Sequence, residues 1–428
     1  MPLEAGLTQA ARAADRVARA SYGKLVAFLS ARTRDVAAAE DALSEAFAAA
    51  LRHWPSDGVP EKPEAWLMTV ARRKLIDARR RAVAAEAAQQ PLALIAEELE
   101  ALAGEPDAIP DDRLALIFAC AHPAVDPDIR APLILQTILG LDAAAIASAF
   151  LVSPAAMGQR LARAKARIKQ AGIPLRRPDR AELPERLDGV LEAIYAAFTE
   201  GWSDPAGVEP RRRNLAAEAL WLGRLLASLA PEEPEALGLL ALMLYAEARR
   251  AARRDAAGAF VPLDGQDPTH WDSAMIEEAE RHLFRAAAMR RFGRYQLEAA
   301  IQSAHIVRRS AGHSDWDAIV ALYDQLLALT GSPVAAINRA IAISQTRGAA
   351  EGLVALPAQD DARLAQYQPY WAARADLLAQ LGEAASAQDA YSRAIGLESD
   401  PAVRRFLQAK AAEAGAAPKR HIVERTSG

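Results

Sequence analysis

Cysteine is almost missing from this chain. One thiol, Cys120, serves 428 residues, which excludes an intrachain disulfide and a thiolate cluster and points to a reducing, cytoplasmic compartment. Aromatic residues are scarce at 6%, whereas hydrophobic residues reach 52%. Ala and Leu therefore carry the apolar content, and the composition predicts helices. No apolar run is long enough to span a bilayer, because Arg, Asp or Glu interrupts every candidate, and the N-terminus lacks the order of a signal peptide. A Gly-rich phosphate loop, an HExxH and a nucleophile elbow are absent too. The densest carboxylate and histidine patch, Asp264, Asp267, His270 and Asp272, reads as a polar loop capping a helix. Cys120 and His122 have no other ligands nearby and read as packing residues. No enzyme, cofactor or metal site is expected. The length exceeds one ordinary core and predicts roughly two to four domains.

What is present is an uneven distribution of charge. The net charge is −4, yet residues 1–180 hold 24 basic against 22 acidic side chains and residues 181–428 hold 27 against 33. A nucleic-acid function therefore belongs in the first part. From Ala143 to Pro178 no acidic residue occurs, while Arg160, Arg163, Lys165, Arg167, Lys169, Arg176 and Arg177 are basic. Leu141–Lys169 predicts a helix-turn-helix. Ile146, Ala147 and Phe150 belong to its first helix, Leu151-Val152 to the turn, Ser153 to the N-cap and Pro154 to the first position of the second helix. Met157, Leu161, Ala164 and Ile168 form one apolar stripe, leaving Gln159, Arg160, Arg163, Lys165 and Arg167 to meet DNA. A solvated cationic helix end is the plainer alternative.

Helical patterns also cover residues 9–31, Ala37–Pro55 and Pro63–Arg81, with Pro55, Gly58, Pro60 and Pro63 marking a loop. The motifs AEDxxxEAFxxALxxWP and PxAWLxxVARxxxIDxxRR in the second and third of these resemble region two of bacterial sigma factors of the extracytoplasmic-function class. The helix-turn-helix downstream is similar to their region four. The resemblance implies an all-α chain: a region-two domain at 1–82, an acidic linker at 83–111 and a region-four domain at 112–173. It further implies that Glu40, Asp41, Glu45, Phe47 and Trp54 dock on core RNA polymerase. The Pro55–Pro63 loop would open promoter DNA, with Arg72, Arg73, Arg79 and Arg80 on phosphates. Trp66 reads as a core residue.

After Pro174, Pro178 and Pro184 the pattern is helical to about Glu413, interrupted by an irregular stretch at Phe260–Asp272. Trp371, Ala375, Leu378, Gly382, Ala387, Tyr391 and Ala394 have the spacing of a tetratricopeptide-type repeat, and Trp316–Gly348 resembles an offset copy. Residues 185–428 are thus expected to form a C-terminal helical-repeat domain with a protein partner or a regulatory role. The whole resembles a subgroup of these sigma factors that carries such an extension. The competing reading is a stand-alone helix-turn-helix regulator with a helical-repeat sensor domain.

Overall fold

The computed structural model describes residues 2–85, 111–150, 152–179, 182–202, 210–306, 315–358 and 364–416. The described residues are helices and turns. Extended pairing among them is limited to one isolated bridge, between Arg254 and Phe260. The chain divides into two compact units: Met1–Trp202 with Arg211–Ala219, and Ser203–Pro210 with Leu220–Gly428.

The first unit opens with α1 (Pro2–Thr33), α2 (Val36–Asp57) and α3 (Pro63–Ala85). They pack as a bundle around Leu25, Phe28, Leu29, Leu43, Ala46, Leu67 and Ala71, all fully or nearly fully buried. Asp35 starts α2 as an N-cap, its carboxylate accepting from the Ala38 amide at 3.1 Å. The bundle is followed by α4 (Arg113–Cys120), α5 (Pro127–Leu139), α6 (Ala143–Ala149), α7 (Pro154–Gln170) and α8 (Leu183–Trp202). Gly140 ends α5 in the left-handed region at φ 70°, donating to Gln136 O at 2.8 Å. Asp142 then caps α6.

Most of the linker read at 83–111 lies outside the described residues. The boundary read near 173–185 is not where the compact units divide, because α8 packs on α4 and α5. Gly189 makes this approach possible: a Cβ there would stand 3.0 Å from Ala121 O. Buried Arg186 donates to Phe118 O at 2.7 Å.

The second unit contains the end of α9 (Pro210–Leu229), then α10 (Pro234–Ala248), α11 (Ser273–Ala288), α12 (Arg294–Ile306), α13 (Trp316–Thr330), α14 (Pro333–Arg347), α15 (Ala349–Ala355), α16 (Gln368–Gln380), α17 (Ala384–Leu397) and α18 (Pro401–Ala416). Helix α10 is buried almost all round and packs against both α11 and α12. Its Glu235 accepts the Tyr295 and Gln296 amides at 2.8 and 3.1 Å, placing a carboxylate on the N-terminus of α12. The pairs α13–α14 and α16–α17 are hairpins whose turns hold Gly331 and Gly382 at positive φ. In the second pair Trp371, Ala375, Leu378, Ala387, Tyr391 and Ala394 are all buried, as their spacing requires.

The irregular Phe260–Asp272 stretch carries two short 3-10 turns, at Leu263–Gly265 and Pro268–His270. Asp267 caps the second of these and Asp272 caps α11, which gives these two acids the structural role read from the sequence. Phe260 stacks edge-on against Phe406 of α18, and Arg254 pairs with Asp400.

Candidate nucleic-acid interface

The local chemistry of α7 follows the sequence closely. Ser153 Oγ accepts the Ala156 amide at 3.2 Å, and Pro154 fills the first helical position. Met157, Leu161, Ala164 and Ile168 are buried on one stripe, and Ile146 and Ala147 of α6 are buried opposite. Leu151 of the turn lies outside the described residues.

The remaining faces of α7 divide its cations. Gln159, Arg163 and Arg167 are exposed at i, i+4 and i+8, one line along the helix. Arg160 is half-buried in a cleft of about 430 Å³ that also takes in Arg130 of α5 and Glu192 and Glu200 of α8. Lys165 faces elsewhere: its Nζ pairs with Glu40 of α2, and both side chains are nearly buried, at 12% and 9% exposure. One turn on, Lys169 Nζ donates to Asp35 Oδ2 at 2.7 Å.

The acids on α2 behave differently from one another. Burial raises the pKa of Glu40 above its ordinary value, and Lys165 offsets this only in part. Burial also works against ionised Asp35, but the hydrogen bond from Lys169 and the amides of α2 outweigh it and hold its pKa low. The two pairs thus shift in opposite directions, in keeping with their depth. Asp41 and Glu45 are exposed, and Lys74 of α3, at 2.6 Å, holds the Glu45 carboxyl below its ordinary range. Phe47 is half-buried. Trp54 is buried, with its ring edge-on to that of half-buried Trp66 at 5.6 Å.

On α3, Arg73 and Arg80 are exposed seven residues apart, and the Arg79 side chain lies outside the described residues. Arg72, grouped with them in the sequence, is buried, its guanidinium 5.4 Å from the Phe28 ring centre. It is not presented to a phosphate in this structure. The apolar stripe on α3 carries Arg72 inward along with Leu75, and a run of arginines in a sequence does not reveal that phase. Asp35, the partner of Lys169, was not singled out in the sequence; its one local signal is that of an N-cap.

Cys120 is fully buried, with its Sγ 3.5 Å from Thr137 Oγ1, and His122 Nδ1 accepts the Ala124 amide at 3.0 Å. Cys120 has the packing role expected of it, whereas half-buried His122, also read as a packing residue, holds the turn after α4.

Comparison with known proteins adds to this geometry. Residues 17–84, from the middle of α1 to the end of α3, match Sigma-70 region 2, which supports a role in promoter recognition and transcription initiation with RNA polymerase. Residues 186–287 match a family of unknown function, DUF6596, which begins within α8 and therefore draws on both compact units. An uncharacterized protein of Rhizobium meliloti (strain 1021) is 41% identical over 381 residues, covering 88% of this chain and 89% of that protein. No solved structure matches the chain. No helix among the described residues is long and apolar enough to cross a membrane.

Proposed function

Because this chain belongs to one family with the Rhizobium meliloti protein along nearly its whole length, and its first helices match Sigma-70 region 2, we propose that it is a sigma factor of the extracytoplasmic-function class with a built-in helical extension. The observation that carries the reading is the region 2 match itself, which covers α2, α3 and the second half of α1. A simple repressor has no need of a polymerase-docking bundle, and this weighs against the stand-alone regulator.

In this reading α2 docks on core polymerase through Asp41, Glu45 and Phe47 at its surface, with Trp54 holding the end of the helix in shape. The loop read at Pro55–Pro63, which begins only after α2 ends at Asp57 with Pro55 inside the helix, and the start of α3 receive the opened promoter strand, and Arg73 and Arg80 supply phosphate contacts. Helices α6 and α7 form the helix-turn-helix. Gln159, Arg163 and Arg167 enter the major groove on one exposed line, and Arg160 flanks them. The hairpins of the second unit form a tetratricopeptide-like regulatory domain that takes a protein partner. The reaction belongs to the polymerase, so this chain needs no catalytic residue or cofactor of its own and works in the cytoplasm.

Run-off transcription with purified core polymerase tests this directly. Specific transcripts are expected only when the chain is added. Core binding and transcript start sites that do not change on its addition refute the reading.

A further inference from the structure

Acids outnumber bases over residues 181–428, but not evenly. Between Glu280 and Glu298 no acidic residue occurs, while Arg281, Arg285, Arg290, Arg291 and Arg294 are basic. All five arginines are exposed. So are Phe284 and Phe292, at 78% and 66%. Among the described residues every other Phe, Tyr and Trp is buried or half-buried, so both exposed rings fall in the stretch that gathers these arginines. Single apolar residues at a surface are ordinary, and cations suit the end of a helix. Neither accounts for rings and charges in one place.

Their placement follows from how α11 packs. Ile276, Ala279 and Ala286 are buried and turn that side of the helix toward α10. At about 100° per residue, Arg281, Phe284, Arg285 and Ala288 fall on the opposite side, and all four are exposed. The turn into α12 adds Arg290 and Phe292. Arg290 holds φ 55°, in the left-handed region where glycine is the low-cost residue. The turn is anchored at both ends: Arg291 donates to Glu232 O at 2.5 Å, and Glu235 accepts the Tyr295 and Gln296 amides. Gly293 leaves room for that carboxyl, whose carbon would stand 2.3 Å from a Cβ. Arg294 pairs with Glu298. Arg281, Arg285 and Arg290 have no ion pair among the described residues.

We infer that this strip binds single-stranded nucleic acid, with Phe284 and Phe292 stacking on unpaired bases and Arg281, Arg285 and Arg290 holding phosphates. Repeated negative charge complements the arginines, and an exposed ring face complements a base. In a duplex the bases already stack on one another, so the rings would gain nothing. An acidic peptide would meet the arginines but find no strand edge to pair with, since extended pairing among the described residues is one isolated bridge. This binding is separate from the sigma-factor reading and is measured without polymerase.

The test titrates the full chain into short fluorescent oligodeoxythymidylate and oligouridylate strands, by anisotropy, over a range of salt. Phe284→Ala with Phe292→Ala removes both rings from exposed sites and suits the α11 helix. Stacking on one ring contributes at least about fivefold in affinity, so binding should weaken about 25-fold or more. The salt slope should stay as it was, because no cation is lost. Arg281→Gln, Arg285→Gln and Arg290→Gly together remove three cations, the last into a backbone that glycine favours. At about 0.7 per phosphate contact, the dependence of log K on log salt should flatten by about 2. A 5-iodouracil strand irradiated on the wild-type chain should cross-link at Phe284 or Phe292, which puts the strand on this unit and not on the first.

The tighter of the two strands identifies the sugar, and tight binding of either supports the inference. Unchanged affinity and slope in both sets of variants, with wild-type helix content, overturn it. Cross-links confined to the first unit overturn it equally. A duplex of the same length that loses as much from the ring substitutions also refutes stacking, and tighter binding of polyglutamate through the same residues would make the partner an acidic peptide instead. Run-off transcription by the wild-type chain is scored separately, so failure here and failure of the sigma-factor reading give different results.

Discussion

Replacing Arg186 by Ala should loosen α4 and α5 without disturbing the second unit. Arg186 is 7% exposed and donates through Nη2 to Phe118 O at 2.7 Å. Phe118 sits in the last turn of α4, where carbonyls have no partner within the helix. A hydrogen bond from a charged donor contributes about 1.5–3 kcal/mol, and a buried carbonyl left unpaired costs about 1–3 kcal/mol. These describe the same event from two sides, so about 2 kcal/mol is the loss to expect. Two compact units make a single unfolding free energy ill-defined, so amide hydrogen exchange is the suitable assay. At about 1.4 kcal/mol per tenfold, amides of α4 and α5 should exchange roughly 30-fold faster. Those of α16 and α17 should not change. Arg186→Lys keeps a cation but loses the fork geometry, and should give a smaller increase. A change under about threefold in α4, or an equal change in both units, would refute the view that α8 belongs structurally with α4 and α5.

Four further outcomes are expected. Asp41→Lys, at an exposed site on α2, should weaken co-purification with core polymerase while leaving helix content intact, and unchanged retention would count against docking through α2. Arg163→Ala should cost about 1–3 kcal/mol of promoter affinity if the side chain reads a base, or flatten the salt slope by about 1 if it grips phosphate; band-shift titration separates the two from no effect. Burial pushes the Cys120 thiol up to about 12, against an opposing hydrogen bond with Thr137, so iodoacetamide at pH 8 should modify it only after denaturant is added. Carboxyl titration by NMR should place Glu40 above its ordinary 4.5, because burial raises it, and Asp35 below its ordinary 3.8, because Lys169 and the α2 amides outweigh burial. The signs are opposite. The Asp35 contribution is present above 3.8 and lost as pH falls through its depressed value. The Glu40 contribution is fullest below 4.5 and lost as pH rises through its raised value.

Helix positions, caps and stripes were legible in the sequence because each depends on neighbours within a few residues. Ser153 and Pro154 predict the start of α7, the i, i+4, i+7, i+11 spacing predicts which of its faces is buried, and the structure has all of these. Alternation of large residues with Ala or Gly predicted the α16–α17 hairpin for the same reason. Such periodicity states which side of a helix avoids water.

It does not state what covers that side, or whether a charge meets solvent or another charge. Arg72 and Arg73 are adjacent cations in the sequence, yet one lies against Phe28 and the other is exposed, a 100° step around a helix that only the packing of α3 on α1 decides. Glu40 and Lys165 each read as surface residues facing a partner. Their pairing joins positions 125 residues apart, and no local pattern encodes a contact at that separation. The same holds for α8: the prolines at 174, 178 and 184 mark a break in the chain, but a break in local structure need not be a break between domains. Gly189 and Arg186 carry α8 onto α4 and α5, so its place was set by the surface those helices left open.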